Sequence, residues 1–162
     1  MLPILYVLMS DRQKSSYIYL YKQIRYCLKN NGPKIFLHDY EMSAISSFHE
    51  IFPDCTIHGC YFHFAKMLRT NLQKKYDSEY KNSISFKNHI YLFKSLSFVQ
   101  PKDVATYFNV LINSPYHQKH KKLLEEFTQY FQKNFIGFDD KNPRYNIIMW
   151  NNYDLIINCE LI

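Results

Sequence analysis

An apolar run that leads directly into an acidic residue, and then into a helical pattern, most limits how this chain can fold. The stretch is KIFLHDYEMSA, residues 34–44. Residues 34–38 have the composition of a strand buried on both faces, and apolar residues then recur at helical spacing as far as Phe52. This order predicts an α/β architecture in which Asp39 follows the carboxyl end of a strand.

The patterns on either side of this stretch predict the remaining elements. Residues 4–9 are expected to form a buried strand, followed by a helix capped by Ser15 or Ser16, and residues 55–59 a further strand. Beyond residue 83 only helical patterns follow, at residues 84–97, 102–113 and 116–135. We therefore predict an α/β half followed by an all-helical half.

The composition excludes several classes of protein. Apolar residues make up 47% of the 162 residues, which favours a packed core over disorder. Four cysteines are too few for a disulfide framework, so we expect a reducing, intracellular setting. The apolar opening lacks the features of a signal peptide, and no segment reaches the about 18 apolar residues of a membrane span. The net charge of +6 is mild and allows either acidic partners or simple solubility.

Asp39 is the main candidate for chemistry. A carboxylate fixed at the end of a strand is well placed to bind a divalent metal such as Mg²⁺, which prefers oxygen ligands. Phosphodiester chemistry on two metals would need further carboxylates from other elements. The alternative is that Asp39 simply caps the following helix, with Glu41 as a favourable partner of its dipole.

A second candidate is the stretch CTIHGCYFH, which brings two cysteines and two histidines within nine residues. Cys55 and His58 would point to opposite faces of a strand, whereas Cys60 and His63 can share one helical face. Two ligands do not make a structural zinc site, so we expect no structural zinc. Cys60 and His63 are either a packed thiol with a hydrogen-bonded histidine, or a pair that lines the cleft near Asp39.

Two groups of basic residues are candidates for contacts with a nucleic acid. Lys66 and Arg69 lie off the apolar face of the helix predicted over residues 61–75. The stretch HQKHKK, residues 117–122, contains Lys119, Lys121 and Lys122 at the start of a helix. Such clusters are either solvated faces or phosphate contacts.

Several motifs together resemble the MULE transposase domain of the Mutator-like element transposases. They are Asp39-Tyr40-Glu41 with Ala44, Phe52-Pro53, the run Gly59-Cys60-Tyr61-Phe62-His63-Phe64, and Trp150-Asn151-Asn152-Tyr153-Asp154. The resemblance extends over nearly the whole chain and is most specific over residues 34–64.

The resemblance implies a partial RNase H-like mixed sheet with flanking helices, followed by an all-helical insertion. Residues 1–80 would be the partial catalytic core, 81–146 the insertion, and 147–162 a return segment toward the last catalytic helix. The implied chemistry is DDE-type DNA strand cleavage and transfer with two Mg²⁺ or Mn²⁺ ions, with DNA as the partner and the nucleus as the location. Asp39 matches the second catalytic acid and metal ligand, and Cys60 and His63 match the C-x-x-H signature.

The chain also departs from the family pattern. The family's first catalytic Asp lies on a strand before the one that begins at Pro3, and its third acid follows an asparagine pair after the Trp150 segment. Neither Asp11 nor Glu160 is in register to replace them. We therefore expect weak or absent metal binding, no strand cleavage by the chain as given, and an unpaired sheet edge that allows self-association.

Three interpretations of function follow from these observations. The chain is a truncated copy or partial gene model of a transposase, a transposase-derived DNA- or protein-binding module without enzymatic activity, or an unrelated α/β metal-binding protein.

Overall fold

The computed structural model of the chain describes residues 5–29, 31–73, 75–138 and 141–158. The chain divides into two compact units, Met1–Ile57 and His58–Ile162. No helix among the described residues is both long and apolar enough to cross a membrane.

The first unit consists of two helices and a small sheet. Helix α1 spans Lys14–Cys27, strand β1 spans Ile35–His38 and helix α2 spans Met42–Ile51. Strand β2, Thr56–Gly59, begins in this unit and pairs in parallel with β1. The backbone N–H of Thr56 donates to the carbonyl of Lys34 over 2.9 Å at the start of this pairing. A mixed α/β architecture is thus confirmed, and its RNase H-like topology stays a prediction.

The predicted strand at residues 4–9 is not formed by the residues that the structure describes. Residues 5–9 have no regular secondary structure, and Leu5, Tyr6 and Leu8 are 60%, 84% and 102% exposed. Residue 4 lies outside the described part of the chain. Apolar composition alone does not make a strand, because an extended segment also needs a neighbour for its backbone hydrogen bonds.

The beginning of α1 also differs from the prediction. Its N-cap is Gln13, and neither Ser15 nor Ser16 caps the helix. Instead, Oδ1 of Asp11 accepts hydrogen bonds from the backbone N–H of Gln13 at 3.0 Å and from the hydroxyl of Ser16 at 2.6 Å. Because these hydrogen bonds favour the ionised carboxylate, they lower the pKa of Asp11. The hydrogen bond from Ser16 has the larger effect. Asp11 therefore orders the turn that precedes the helix.

An apolar core joins the two helices to the sheet of the first unit. Its buried members are Tyr21, Phe48, Ile51, Phe52 and Cys55. The rings of Phe36 on β1 and Phe48 on α2 stack with their centroids 3.8 Å apart. The helical spacing that predicted α2 is thus the spacing that buries one face of this helix against α1 and β1.

The second unit is helical after the last two residues of β2. Its helices are α3 Tyr61–Gln73, α4 Asp77–Asn82, α5 Ile84–Ser95, α6 Val104–Ile112, α7 Pro115–Lys119, α8 Lys121–Phe131, α9 Ile147–Trp150 and α10 Tyr153–Ile157. Short 3₁₀ turns at Leu96–Phe98 and Pro101–Asp103 lie between α5 and α6, and a π-helical turn, Gln132–Ile136, extends α8. The predicted helical second half is therefore observed.

Aromatic side chains fill the core of the second unit. Trp150 is fully buried, and its ring stacks on Phe64 of α3 with centroids 5.2 Å apart. The indole N–H of Trp150 donates to the carbonyl of Phe135 over 3.1 Å. This bond satisfies the one polar atom of the indole, so the whole side chain can be buried without leaving a donor unpaired.

Candidate functional site

Asp39 occupies an exposed position between two buried neighbours. His38 at the end of β1 and Tyr40 are 7% and 6% exposed, whereas the side chain of Asp39 is exposed. Nδ1 of His38 accepts a hydrogen bond of 2.8 Å from the backbone N–H of Tyr40. Tyr40 has a φ of +71°, a left-handed conformation that is uncommon for a residue with a large side chain. The sharp turn and the two buried rings together fix the backbone at residue 39.

The alternative prediction, that Asp39 caps the helix that follows it, is wrong. The N-cap of α2 is Glu41, and no side chain makes a capping hydrogen bond there. Glu41 contributes through its backbone, because its carbonyl accepts from the N–H of Ile45 at 3.0 Å. The carboxylate of Asp39 is therefore available for a role other than holding the helix start.

Two tyrosines of α1 lie in the field of the acidic turn. The hydroxyl of Tyr17 donates to Oε2 of Glu41 over 3.0 Å. Burial raises the pKa of Tyr17, and the hydrogen bond and charge of Glu41 raise it further. Burial, followed by the electrostatic effects of Tyr17, Asp39 and Glu41, raises the pKa of Tyr21 to about 12. Asp39 and Glu41 therefore act together as a local negative field at this end of the first unit.

The residues around Asp39 do not fit a two-metal site. No group of three or more His, Cys, Asp or Glu side chains within the described residues is arranged to hold a metal ion. Glu41, the carboxylate nearest in sequence, is engaged by Tyr17. The expectation of Mg²⁺ or Mn²⁺ therefore rests on the family resemblance. Glu160 lies outside the described residues.

Cys60 and His63 lie at the start of α3, in the second unit. Both are half-buried, and Cys60 is a free thiol. The Nδ1 atom of His63 is buried and forms no hydrogen bond with any described residue. The prediction of a hydrogen-bonded histidine beside a packed thiol is therefore not supported at the Nδ1 atom of His63. The alternative, that Cys60 and His63 line a cleft near Asp39 of the first unit, stays a prediction.

The other two members of the Cys–His stretch are part of the protein interior. Cys55 belongs to the core of the first unit, where burial raises the pKa of its thiol. His58 is buried at the beginning of the second unit.

Lys66 and Arg69 on α3 differ in their availability to a ligand. Lys66 is exposed. The guanidinium of Arg69 lies over the ring of Tyr80 at 3.9 Å and donates to Oδ1 of Asp77 over 3.2 Å. Arg69 therefore connects α3 to α4, and of these two residues Lys66 is the one free to contact a nucleic acid.

The basic stretch 117–122 divides into a buried and an exposed part. His117 is buried, whereas Lys119, Lys121 and Lys122 are exposed. A cavity of about 430 Å³ is lined by Lys75, Lys119, His120, Lys122 and Leu123. The sequence did not indicate the contribution of Lys75, which follows α3 and meets α7 and α8 only in the folded unit. We call these five residues the lysine cavity.

The segment Trp150–Asp154 has a structural role in this chain. Asn151 and Asn152 are 3% and 2% exposed. The side-chain amide of Asn151 donates to the carbonyl of Val99 over 2.7 Å, and its oxygen accepts from the backbone N–H of Tyr153 at 2.9 Å. The side-chain amide of Asn152 donates to the carbonyl of Trp150 over 3.1 Å. The two asparagines thus satisfy backbone groups at the end of α9, at the start of α10 and after the first 3₁₀ turn.

The fold and the site together define an α/β unit that presents an exposed carboxylate after a parallel strand, continued by a helical unit. Residues 1–67 match the family model of the MULE transposase domain. The match includes Asp39, Cys60 and His63 and ends within α3. The resemblance to a partial MULE transposase domain is thereby confirmed for these residues. No curated protein and no solved structure matches the chain significantly.

Proposed function

We propose that the chain is a piece of a Mutator-like DNA transposase whose ancestral activity is metal-dependent cleavage and transfer of DNA strands. The observation that carries the proposal is the family match over residues 1–67, with Asp39 directly after β1. The resemblance implies a catalytic acid at this position. The exposed carboxylate of Asp39, which does not cap α2, supports a role in that chemistry. The nucleus is proposed as the location on the basis of the same family resemblance.

This chain by itself is proposed not to cleave DNA. Asp39 supplies one carboxylate, and a single carboxylate offers too little charge and too few oxygen ligands to hold two divalent ions. The remaining acids of an active site would have to come from elsewhere, such as another segment or another chain. The proposal therefore separates DNA binding, which this chain performs, from strand cleavage, which it does not perform unaided.

DNA binding is proposed to use exposed lysines of the second unit. Lys66 on α3 and Lys119, Lys121 and Lys122 around the start of α8 are exposed, and the chain carries a net charge of +6. Lysine side chains contact phosphates mainly as point charges and carry no sequence information, so we expect salt-dependent binding with little sequence preference.

The binding experiment is a fluorescence-anisotropy titration of a labelled DNA duplex with the purified chain at several salt concentrations. The proposal predicts that the logarithm of the association constant falls linearly with the logarithm of the salt concentration. The matched variant is Lys66→Gln, compared with Lys22→Gln, which removes the same charge from an exposed position of α1. Absence of binding at the lowest salt concentration would reject the DNA-binding part of the proposal.

The cleavage experiment asks whether the chain nicks supercoiled plasmid in the presence of Mg²⁺ or Mn²⁺. We expect no nicking above background for the natural chain and none for Asp39→Asn. Nicking by the natural chain that disappears in Asp39→Asn would show that Asp39 is catalytic here and that cleavage belongs to this chain.

The second candidate is a transposase-derived module that binds DNA or protein without enzymatic activity. The lysine cavity favours it, because it offers a binding surface that does not involve Asp39. The two candidates differ in the genomic DNA that flanks the reading frame. The first predicts an Asp-bearing strand upstream and an Asn-Asn-x-x-Glu motif downstream, and the second predicts neither.

A further inference from the structure

The lysine cavity joins basic residues that are distant in the sequence. Lys75 follows α3, Lys119 ends α7, and Lys122 lies in the first turn of α8. His120, which separates the two helices, and Leu123 complete the lining of about 430 Å³. This shallow, largely open recess is thus lined by three lysines and one histidine.

The charge balance of the lysine cavity favours an anion. The first turn of α8 contains no acidic residue. Glu126 forms an ion pair with Lys75, in which the two side chains are 65% and 54% exposed. An ion pair between exposed side chains contributes little free energy, so an anionic ligand such as a phosphate can compete with Glu126 for Lys75.

The lining also indicates which anion is suitable. Among the described residues that line the cavity, Leu123 is the only apolar one, and none is a Tyr, Phe or Trp on which a base could stack. Nucleobases bound by proteins are commonly stacked on aromatic rings, whereas a phosphate can be held by the charge of lysine side chains. The predominance of lysines in the lining therefore favours a phosphate group over a base as the ligand.

We propose that the lysine cavity binds a phosphate group of a nucleic-acid backbone. This inference rests on the proposed function, in which the chain binds DNA, and it names the part of the second unit that holds the backbone. The phosphate would lie among Lys75, Lys119 and Lys122, with the imidazole of His120 as a further hydrogen-bond donor. Since a phosphate contact carries no sequence information, the cavity contributes affinity rather than sequence specificity.

The main experiment compares two triple variants of the full chain in the DNA anisotropy titration. The test variant is Lys75→Gln, Lys119→Gln, Lys122→Gln. The control variant is Lys102→Gln, Lys133→Gln, Lys141→Gln, which removes the same total charge from exposed positions of the second unit. Removing one lysine that neutralises a phosphate should reduce the slope of log K against log salt by about 0.9. We expect a clear reduction in the test variant and a much smaller one in the control.

A single substitution is expected to strengthen DNA binding, whereas the triple test variant weakens it. Glu126→Gln removes the acidic partner of Lys75 and should strengthen DNA binding severalfold at low salt. Glu125→Gln, on the neighbouring exposed residue, is the matched control and should have a weaker effect. Both substitutions retain the shape of the side chain, so they test the cavity even if the triple variant misfolds. Circular dichroism would reveal such misfolding. Equal effects of the two glutamate variants would contradict a role of Lys75 in the cavity.

A pyrophosphate titration of the isotope-labelled chain, followed by NMR, separates this inference from the proposed function. Shifts at residues 119–123 that the test variant abolishes support the cavity, and DNA binding that the test variant weakens identifies the nucleic-acid backbone as its source. DNA binding without a difference between the triple variants overturns the cavity and leaves the proposed function standing. Pyrophosphate binding without DNA binding assigns the cavity to free phosphates and rejects the nucleic-acid source. Binding of neither ligand rejects both.

Discussion

His89 on α5 and His117 on α7 share a hydrogen bond in the interior of the second unit, with 3.0 Å between Nε2 of His89 and Nδ1 of His117. The two residues are 4% and 3% exposed. One ring nitrogen must carry the proton and the other must be bare, so the bond requires at least one neutral imidazole. Phe93 packs against both rings, which leaves little room for hydration of a charged form.

The first prediction is that the second unit loses stability in mild acid. Burial, and then the charges of His117 and His120, lower the pKa of His89 from 6.5 to about 4, and burial together with Lys121 lowers the pKa of His117. The unfolded chain therefore binds more protons than the folded chain below pH 6.5. The contribution of the histidine pair to the free energy of unfolding should be fully present above that pH and fall between pH 6.5 and 4, by roughly 1–3 kcal/mol for His89.

Urea unfolding at pH 7.5, 6.0 and 5.0 checks this prediction. His89→Gln cannot titrate and should flatten the dependence, whereas His49→Gln, at an exposed position of α2, should not. A pH dependence that is the same in His89→Gln as in the natural chain would exclude the histidine pair as its cause.

The second prediction concerns the two carboxylates of the turn after β1. Asp39→Asn should change the free energy of unfolding by less than about 0.5 kcal/mol, because no described side chain hydrogen-bonds to Asp39 and the residue does not cap α2. Glu41→Gln should cost about 1 kcal/mol, since it removes a charged acceptor of the Tyr17 hydroxyl. A double-mutant cycle with Tyr17→Phe measures this interaction, and no coupling between the two substitutions would contradict it.

The third prediction is that Trp150 holds the second unit together. Trp150→Phe removes the indole N–H that bonds the carbonyl of Phe135 and leaves a gap beside Phe64, so it should cost about 2 kcal/mol or more. Ile148→Val, on the same helix at a position that is 58% exposed, should be nearly neutral. Urea unfolding followed by circular dichroism compares the two variants, and similar stabilities would exclude the proposed role.

The fourth prediction is that Gly137 tolerates no side chain. It has a φ of +92°, and a Cβ atom there would lie 2.8 Å from the carbonyl oxygen of Lys141 and 2.9 Å from Cδ of Pro143. Gly137→Ala should therefore destabilise the second unit by about 2 kcal/mol or more, from backbone strain and the two close contacts. Thr106→Ala, on an exposed position of α6, is the matched control. Equal melting temperatures of the two variants would show that the loop can move to accommodate Cβ.

The helices with regular apolar spacing were the part of the fold that could be predicted well from the sequence. Leu124, Phe127 and Phe131 recur at helical spacing, and α8 buries all three. The short helix α4, Asp77–Asn82, was not predicted, because six mostly polar residues show no such spacing and it is held by contacts such as the bond between Arg69 and Asp77. Local patterns thus predict long amphipathic helices but not elements whose stability comes from distant residues.

The candidate sites also divide into those formed by residues close in the sequence and those formed by distant residues. Asp39 was predictable because a strand and a helix flank it directly, and its surroundings are local in sequence. The histidine pair and the lysine cavity were not predictable, because His89 with His117 and Lys75 with Lys119 meet only through the packing of α3, α5, α7 and α8. No spacing rule connects residues so far apart in the chain.

The left-handed turn at Tyr40 also makes position 39 suitable for a spectroscopic label. The backbone there is held on both sides by buried rings and by the hydrogen bond from Tyr40 to His38, while the side chain itself is accessible. A spin label attached at this position would move with the main chain and only little by itself. Its electron paramagnetic resonance spectrum would therefore report how rigidly the backbone after β1 is held.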